Sequence, residues 1–523
     1  MSERTGTRFP RCSGVLLHPT SLPGPDGCGD LGPAARGFVD WLADHDQTWW
    51  QVLPLGPTSY GDSPYQTLSA FAGNPLLISL TDLIDDGWLT EADLQDRPVL
   101  AAERVDFGAV IPWRLGRLER AWAVFLERAD KLAWDDFRGW CDLNAAWLDD
   151  FALFMALKQE HGGKPWYRWS RDLVRRDPQA LKTAAAALVR QTDFFRFCQW
   201  LFHGQWAALR EHAQQRGVSI MGDMPIFVAH DSSDVWARQD LFQLDDDGLP
   251  RVVAGVPPDY FSKTGQLWGN PLYDWRAAAD EDFAWWRARL KAVLQLVDVV
   301  RLDHFRGFEA YWEVPAEAET AETGRWVEGP GADFFLSLQQ DFGEDLPLVA
   351  EDLGVITPAV DELRRRFDLP GMRVLQFAWS GPDNLFLPHE HQRNTVVYTG
   401  THDNDPVLGW WEHLADRRTR EMVAEYSGCA VDEPNWTLIR LGMMSVAETF
   451  IVPMQDVLGL GRQGRMNLPG SGHGNWNWRL GAADLEHSGA ERLARMTWLY
   501  RRAPGQDSAR RQDPAAGTAE SSP

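Results

Sequence analysis

Eight short apolar runs recur along the chain, and each runs into a polar or charged cluster. They are GVLLHPTS from Gly14, WWQVLPLGP from Trp49, VSIMGDMPIF from Val218, VDVVRLDHF from Val297, PLVAEDLG from Pro347, MRVLQFAW from Met372, TVVYTGTHDN from Thr395 and FIVPMQDVLGL from Phe450. Their continuous apolar character predicts strands buried on both faces, as in a parallel sheet. Helical periodicity fills the gaps. Phe283, Trp286, Leu290, Val293, Leu294 and Val297 form one face leading into the fourth run, and Thr357 with Pro358 reads as a cap and first turn. Strand–helix alternation repeated eight times predicts a (β/α)8 TIM barrel, in which catalytic groups stand at the C-terminal ends of the strands. The charges of this chain fall there.

The spacing is uneven, and this predicts insertions into a barrel spanning 11–502. Residues 58–216 carry amphipathic patterns such as LDDFALFMALKQEHG and read as a largely helical insertion. Residues 231–276 contain GVPPDYFSKTGQLWGNP, whose Pro, Gly and aromatic content predicts a structured loop over a site. No separate C-terminal β-domain is expected. Residues 503–523, rich in Pro, Ala, Ser and charge, are expected to be disordered.

Composition narrows the function. Of 523 residues, 51 are Lys or Arg and 75 are Asp or Glu, a net charge of −24. That charge repels nucleic acid and anionic membrane surfaces, so neither is an expected partner, and a neutral substrate fits best. Five scattered cysteines without CxxC spacing predict neither a disulfide framework nor a zinc site. The N-terminus lacks an apolar leader and no run reaches membrane-spanning length, so a cytoplasmic protein is expected. Tryptophan is abundant at 27 residues. Its rings serve either as core or as platforms for the apolar faces of sugars.

Four strand ends offer carboxylates: Asp223 in IMGDMPIF, Asp303 in VVRLDHFRG, Glu351 in LVAEDLG and Asp403 in YTGTHDND, with His402 beside it. Alternation puts Arg301 and Asp303 on one side of their strand and His304 on the other. Taken alone, Asp303 reads as a structural ion pair with Arg301 or Arg306, and Glu351 as a solvated turn. Taken together, carboxylates converging on one mouth suggest metal binding or glycoside chemistry. An arginine can hold Asp303 ionised as a nucleophile, and apolar surroundings can raise Glu351 toward a general acid. Glycosidic cleavage uses such a pair, about 5–5.5 Å apart in a retaining enzyme. His18, His304 and His402 lie at strand ends, but HxH, HExxH, P-loop and dinucleotide motifs are absent, so no metal or cofactor is expected.

RLDHFRG, VAEDLG, YTGTHDND, GDMPIFV and GVPPDYFSKTGQLWGNPLYDW resemble the 4-α-glucanotransferases (amylomaltases, disproportionating enzymes) of the α-amylase superfamily. The resemblance runs from LLHPTSLPG through LGPTSYGDSPYQ and SAFAGNP to RMNLPG and GNWNWR. It implies a (β/α)8 barrel that transfers α-1,4-glucan segments from a donor to a glucan or glucose acceptor by retaining double displacement, as a monomer or weak homodimer. It implies Asp303 as nucleophile, Glu351 as general acid/base and Asp403 as a third carboxylate holding sugar hydroxyls. Arg301, His304, His402 and Asp223 would line the cleavage subsite, and Asp259, Gln266 and Trp268 would cover bound glucan. Tyr65, Ser63 and Asn467 would contact sugar, and Tyr60 a more distant groove. If the resemblance holds, strand regularity must end near Asp303 for His304 to reach the site. Pro406 stands where the family more often has threonine. The competing readings are an α-glucan hydrolase of the same superfamily, a non-catalytic glycan-binding protein and a metal-dependent barrel hydrolase.

Overall fold

The computed structural model describes residues 9–258, 262–486 and 489–505. Eight parallel strands lie in one sheet: β1 (Cys12–Leu16), β2 (Trp49–Gln51), β3 (Ser219–Pro225), β4 (Val299–Asp303), β5 (Leu348–Ala350), β6 (Gly371–Val374), β7 (Thr395–Tyr398) and β8 (Thr449–Pro453). They are neighbours in chain order from β6 through β8 to β1 and on to β5. Between β5 and β6, Ala350 N–H donates to the Pro370 carbonyl at 2.8 Å, which closes the barrel. All eight apolar runs supply these strands. Their buried faces explain why the runs are continuously apolar. Where β1 meets β2, only glycine fits. A Cβ on Gly14 would lie 2.3 Å from the Trp49 carbonyl oxygen.

Helices follow the predicted patterns. Ala284–Leu296 precedes β4, and Pro358–Arg366 follows β5 with the Thr357 hydroxyl accepting from Val360 N–H. One crossover departs from the expected alternation. Between β6 and β7 the described chain has only two short 3-10 turns, Leu375–Phe377 and Pro388–Glu390. The intervening sequence WSGPDNLFLP carries Gly and two prolines, which stop a helix from propagating.

The 58–216 stretch holds the long helices Phe107–Arg128, Lys131–Glu160 and Val189–Gln215. Trp122, Phe125, Phe137 and Phe197 pack among them, with ring centroids 5.1–6.4 Å apart. Val189–Gln215 also serves the barrel. Trp206 donates to the Leu296 carbonyl at 2.7 Å, and Arg210 pairs with Asp298 just before β4.

The second insertion is more sheet than loop. Gln266–Pro271, Val252–Val256, Ala310–Pro315 and Arg325–Glu328 form a four-stranded antiparallel sheet in that order. Two of its strands come from beyond β4, outside the expected 231–276. More than half of the 27 tryptophans are buried, so core packing accounts for most of them. The expected tail lies outside the described residues from 506 onward, whereas Arg502 and Ala503 are buried. Among the described residues, no helix is long and apolar enough to cross a membrane.

Candidate active site

Strand register builds the site. Asp223 on β3 lies opposite Arg301 on β4, and Leu302 opposite Ala350 on β5. This register brings the next residues along, Asp303 and Glu351, to neighbouring strand ends. The Arg301 guanidinium is buried and bridges two carboxylates. Its Nη1 reaches Asp223 at 2.7 and 2.9 Å and Asp303 Oδ1 at 2.8 Å. The Asp223 side chain is fully buried, whereas Asp303 keeps 27% of its side chain exposed. Burial pushes Asp223 up to about 6 against the pull of Arg301, which leaves it ionised at neutral pH.

Glu351 has the opposite balance. Burial, reinforced by the negative charge of Asp303, raises it to about 8, although Arg301 and two backbone donors pull it down. Those donors are Leu353 N–H to Oε1 at 2.9 Å and His304 N–H to Oε2 at 2.8 Å. At neutral pH Glu351 holds a proton next to the Arg301-bound Asp303.

His304 explains its own orientation. The extended strand ends at Asp303, and His304 takes the left-handed conformation with φ 53° and ψ 49°. The turn aims its N–H at Glu351 and its ring at Trp268, with centroids 4.8 Å apart and edge to face. Burial lowers His304 to about 4, so the ring is neutral, and among the described residues its Nε2 has no hydrogen-bond partner.

The far wall is aromatic. The Tyr65 hydroxyl donates to Asp223 Oδ2 at 2.9 Å, and its ring stacks on His402 at 5.0 Å. Trp476 leans against both rings at 5.8 Å. His402 Nε2 lies 3.4 Å from Asp403 Oδ1, and Asn467 Nδ2 donates to the same oxygen at 2.7 Å. The Ser63 hydroxyl accepts from Tyr65 N–H at 3.2 Å. Gln266 Oε1 accepts from Trp268 Nε1 at 3.2 Å and steadies the indole ring.

Asp223, Arg301, Asp303, His304, Glu351, Tyr65, His402, Asp403, Asn467, Trp268, Gln266 and Ser63 are therefore joined through direct contacts or adjacent strand ends. Asp259 lies outside the described residues, and the Tyr60 side chain is likewise not described. Pro406 stands just before the helix Val407–His413 and accepts its first bond from Trp410. Sequence reasoning passed over Trp476, whose only signal was its place in GNWNWR. It also passed over Asp405 and Arg465, whose partners lie on another segment. No cluster of three or more His, Cys, Asp or Glu side chains suited to a metal ion occurs among the described residues.

Residues 17–484 match the 4-alpha-glucanotransferase family. The chain belongs to that family. A 4-alpha-glucanotransferase from Thermus thermophilus is 50% identical over 496 residues, covering 93% of this chain and 98% of the relative. One from Synechocystis is 48% identical over 496 residues, covering 94% and 98%. The solved amylomaltase of Streptococcus agalactiae, in complex with acarbose, superposes with a TM-score of 0.91 at 38% identity, covering 94% of this chain and all of that one. Family membership makes this chain a transferase on a (β/α)8 barrel and disfavours the hydrolase and scaffold readings.

Proposed function

We propose that this enzyme transfers segments of α-1,4-glucans to the 4-hydroxyl of a glucan or glucose by retaining double displacement. The observation that carries the mechanism is the pairing of two carboxyl groups in unlike surroundings. Asp303 is held by a buried guanidinium, and buried Glu351 is pushed up to about 8.

In the first step Glu351 gives its proton to the glycosidic oxygen, the C1–O bond breaks, and Asp303 forms an ester with C1. The shortened glucan leaves as an alcohol. In the second step the acceptor's 4-hydroxyl yields its proton to Glu351 and attacks C1, releasing Asp303 as a carboxylate and restoring the acid. The left-handed turn at His304 supports Glu351 through its backbone N–H and offers its neutral ring to substrate.

Asp403, held by Asn467 beside His402, serves to grip sugar hydroxyls as the ring flattens toward an oxocarbenium ion. Arg301 and Asp223 orient the nucleophile, and Tyr65 with His402 gives the sugar a stacking wall. Gln266 and Trp268, together with Asp259, cover bound glucan, and Ser63 and Tyr60 contact it further out. A covered site favours an acceptor sugar over water, which separates transfer from hydrolysis. The enzyme is read as a cytoplasmic monomer or weak homodimer.

Incubation with maltotriose and separation of products by size tests the activity. A ladder of shorter and longer maltodextrins is expected, and products that only shorten would refute transfer. Asp303→Asn should remain folded with nearly all activity gone. A largely active variant would overturn the nucleophile assignment.

A further inference from the structure

Asp403 differs from the other carboxylates of the site in being half exposed, with 46% of its side chain open. It stands on the loop between β7 and the helix Val407–His413, so neither burial nor strand register fixes it. Besides Asp403 N–H on the Thr401 hydroxyl at 3.3 Å and Asn467 N–H on the His402 carbonyl at 3.0 Å, the loop is held by Arg465, 62 residues further along. The Arg465 guanidinium spends three donors on three acceptors. Nη2 donates to the Asp403 carbonyl at 2.6 Å, Nε to the Asn467 carbonyl at 2.6 Å, and Nη1 to Asp405 Oδ1 at 2.7 Å.

Asp405 is the anchor. Its side chain is fully buried, and its second oxygen accepts from Arg462 Nε and Nη2 at 3.0 and 2.9 Å. Its own carbonyl accepts from Gln376 Nε2 at 2.9 Å, just beyond the end of β6. The load path therefore runs from the barrel through Asp405 to Arg465. There it divides, to the backbone of Asp403 and to the backbone of Asn467, whose amide in turn holds the Asp403 carboxylate at 2.7 Å.

We propose that Asp405 and Arg465 are positioning residues: an ion pair anchored on a buried carboxylate that clamps the Asp403 loop and the Asn467 segment together and sets the aim of the Asp403 carboxylate. Neither touches the reacting atoms. The planar fork of arginine is essential to the task, because a lysine ammonium presents one point charge and cannot span three acceptors on two segments. Displacing a catalytic group by about 1 Å costs on the order of 100-fold in rate. The inference rests on the reading of Asp403 as a group that acts on the sugar during the reaction.

The test is a double-mutant cycle on maltotriose disproportionation, with Arg465→Lys, Asp405→Asn, Asp403→Asn and the two double variants. Melting and near-ultraviolet circular dichroism are recorded for each. Arg465→Lys and Asp405→Asn are each expected to lower kcat about tenfold to 100-fold with KM within twofold, because the lost interaction belongs to the transition state. In the Asp403→Asn background the same changes should cost less than twofold.

Equal losses in both backgrounds, a loss carried by KM alone, or retained activity would overturn the proposal. So would failure of both Arg465→Lys and Asp405→Asn to fold, which would make the pair structural. Full activity in Asp403→Asn itself would instead refute the underlying role of Asp403. The two failures are thus distinguishable.

Discussion

Glu351 and Asp303 are both carboxyl groups on adjacent strand ends, and their surroundings divide the work between them. Asp303 meets a guanidinium at 2.8 Å, while Glu351 is buried and raised to about 8. In the proposed mechanism the form of Glu351 that starts the reaction carries a proton, and a raised carboxyl keeps that proton up to its own value. Activity should therefore hold through neutral pH and fall as pH rises through about 8, approaching tenfold per further unit in kcat/KM. A pH–rate profile with maltotriose checks this, and an alkaline limb near 5 would contradict it. His304 yields a second prediction at this scale. Asparagine tolerates the left-handed region and keeps the backbone N–H to Glu351, but it lacks the ring that meets Trp268. His304→Asn should keep its melting midpoint within a few degrees and lose at least about tenfold in kcat/KM, the cost of one lost substrate contact. The carboxylates of the site were legible because each stands where an apolar run ends, whereas Tyr65, Ser63, Gln266, Trp268 and Asn467 lie on loops and in the insertions and were reached only through the family resemblance. The turn at 304 was not, because a histidine does not announce positive φ as a glycine would.

At the scale of elements, the covering sheet shows how far pattern reading extends. Its first two strands fall within the predicted insertion, but Ala310–Pro315 and Arg325–Glu328 arrive after β4 and pair back across it. Long-range antiparallel pairing leaves little trace in the local sequence: Tyr311 and Trp312 are adjacent aromatics and the buried neighbour is Glu313, which says nothing of the partner strand. The sheet presents Trp268 to His304, and this predicts a role in keeping water out. Trp268→Ala should raise the share of hydrolysis over transfer severalfold, read as reducing sugar gained per maltodextrin transferred, with barrel stability little changed because the ring is partly exposed and lies on the added sheet rather than in the barrel. An unchanged product ratio would separate Trp268 from water exclusion.

The whole molecule is closed by a residue that no catalytic argument requires. Arg502 is buried and donates to the carbonyls of Met443, Cys12, Glu448 and Ala447 at 2.9–3.0 Å, joining the end of the described chain to β1 and to the approach to β8. Arg502→Met removes four hydrogen bonds to buried carbonyls, of which Glu448 keeps the Cys12 N–H and Met443 and Ala447 keep Arg11 as donors, and should cost about 3 kcal/mol or more. Calorimetry should show a melting midpoint lower by roughly 3 °C or more, with kcat at 25 °C unchanged. An unaltered midpoint would mean that solvent replaces those bonds freely. At this scale the division between sequence and structure becomes clear. The sequence by itself determined the eight strands and the charged residues at their ends, because continuous apolar runs are stable only when buried on both faces. Tertiary structure alone decided which carboxyl holds the proton, since burial and the charges of Arg301 and Asp303 reach Glu351 from a neighbouring strand. It also decided that Tyr65, the adjacent pair His402 and Asp403, and Asn467, drawn from three distant segments of the chain, share one wall. Proton affinity and contact depend on distance in space, and local sequence pattern carries no record of that distance.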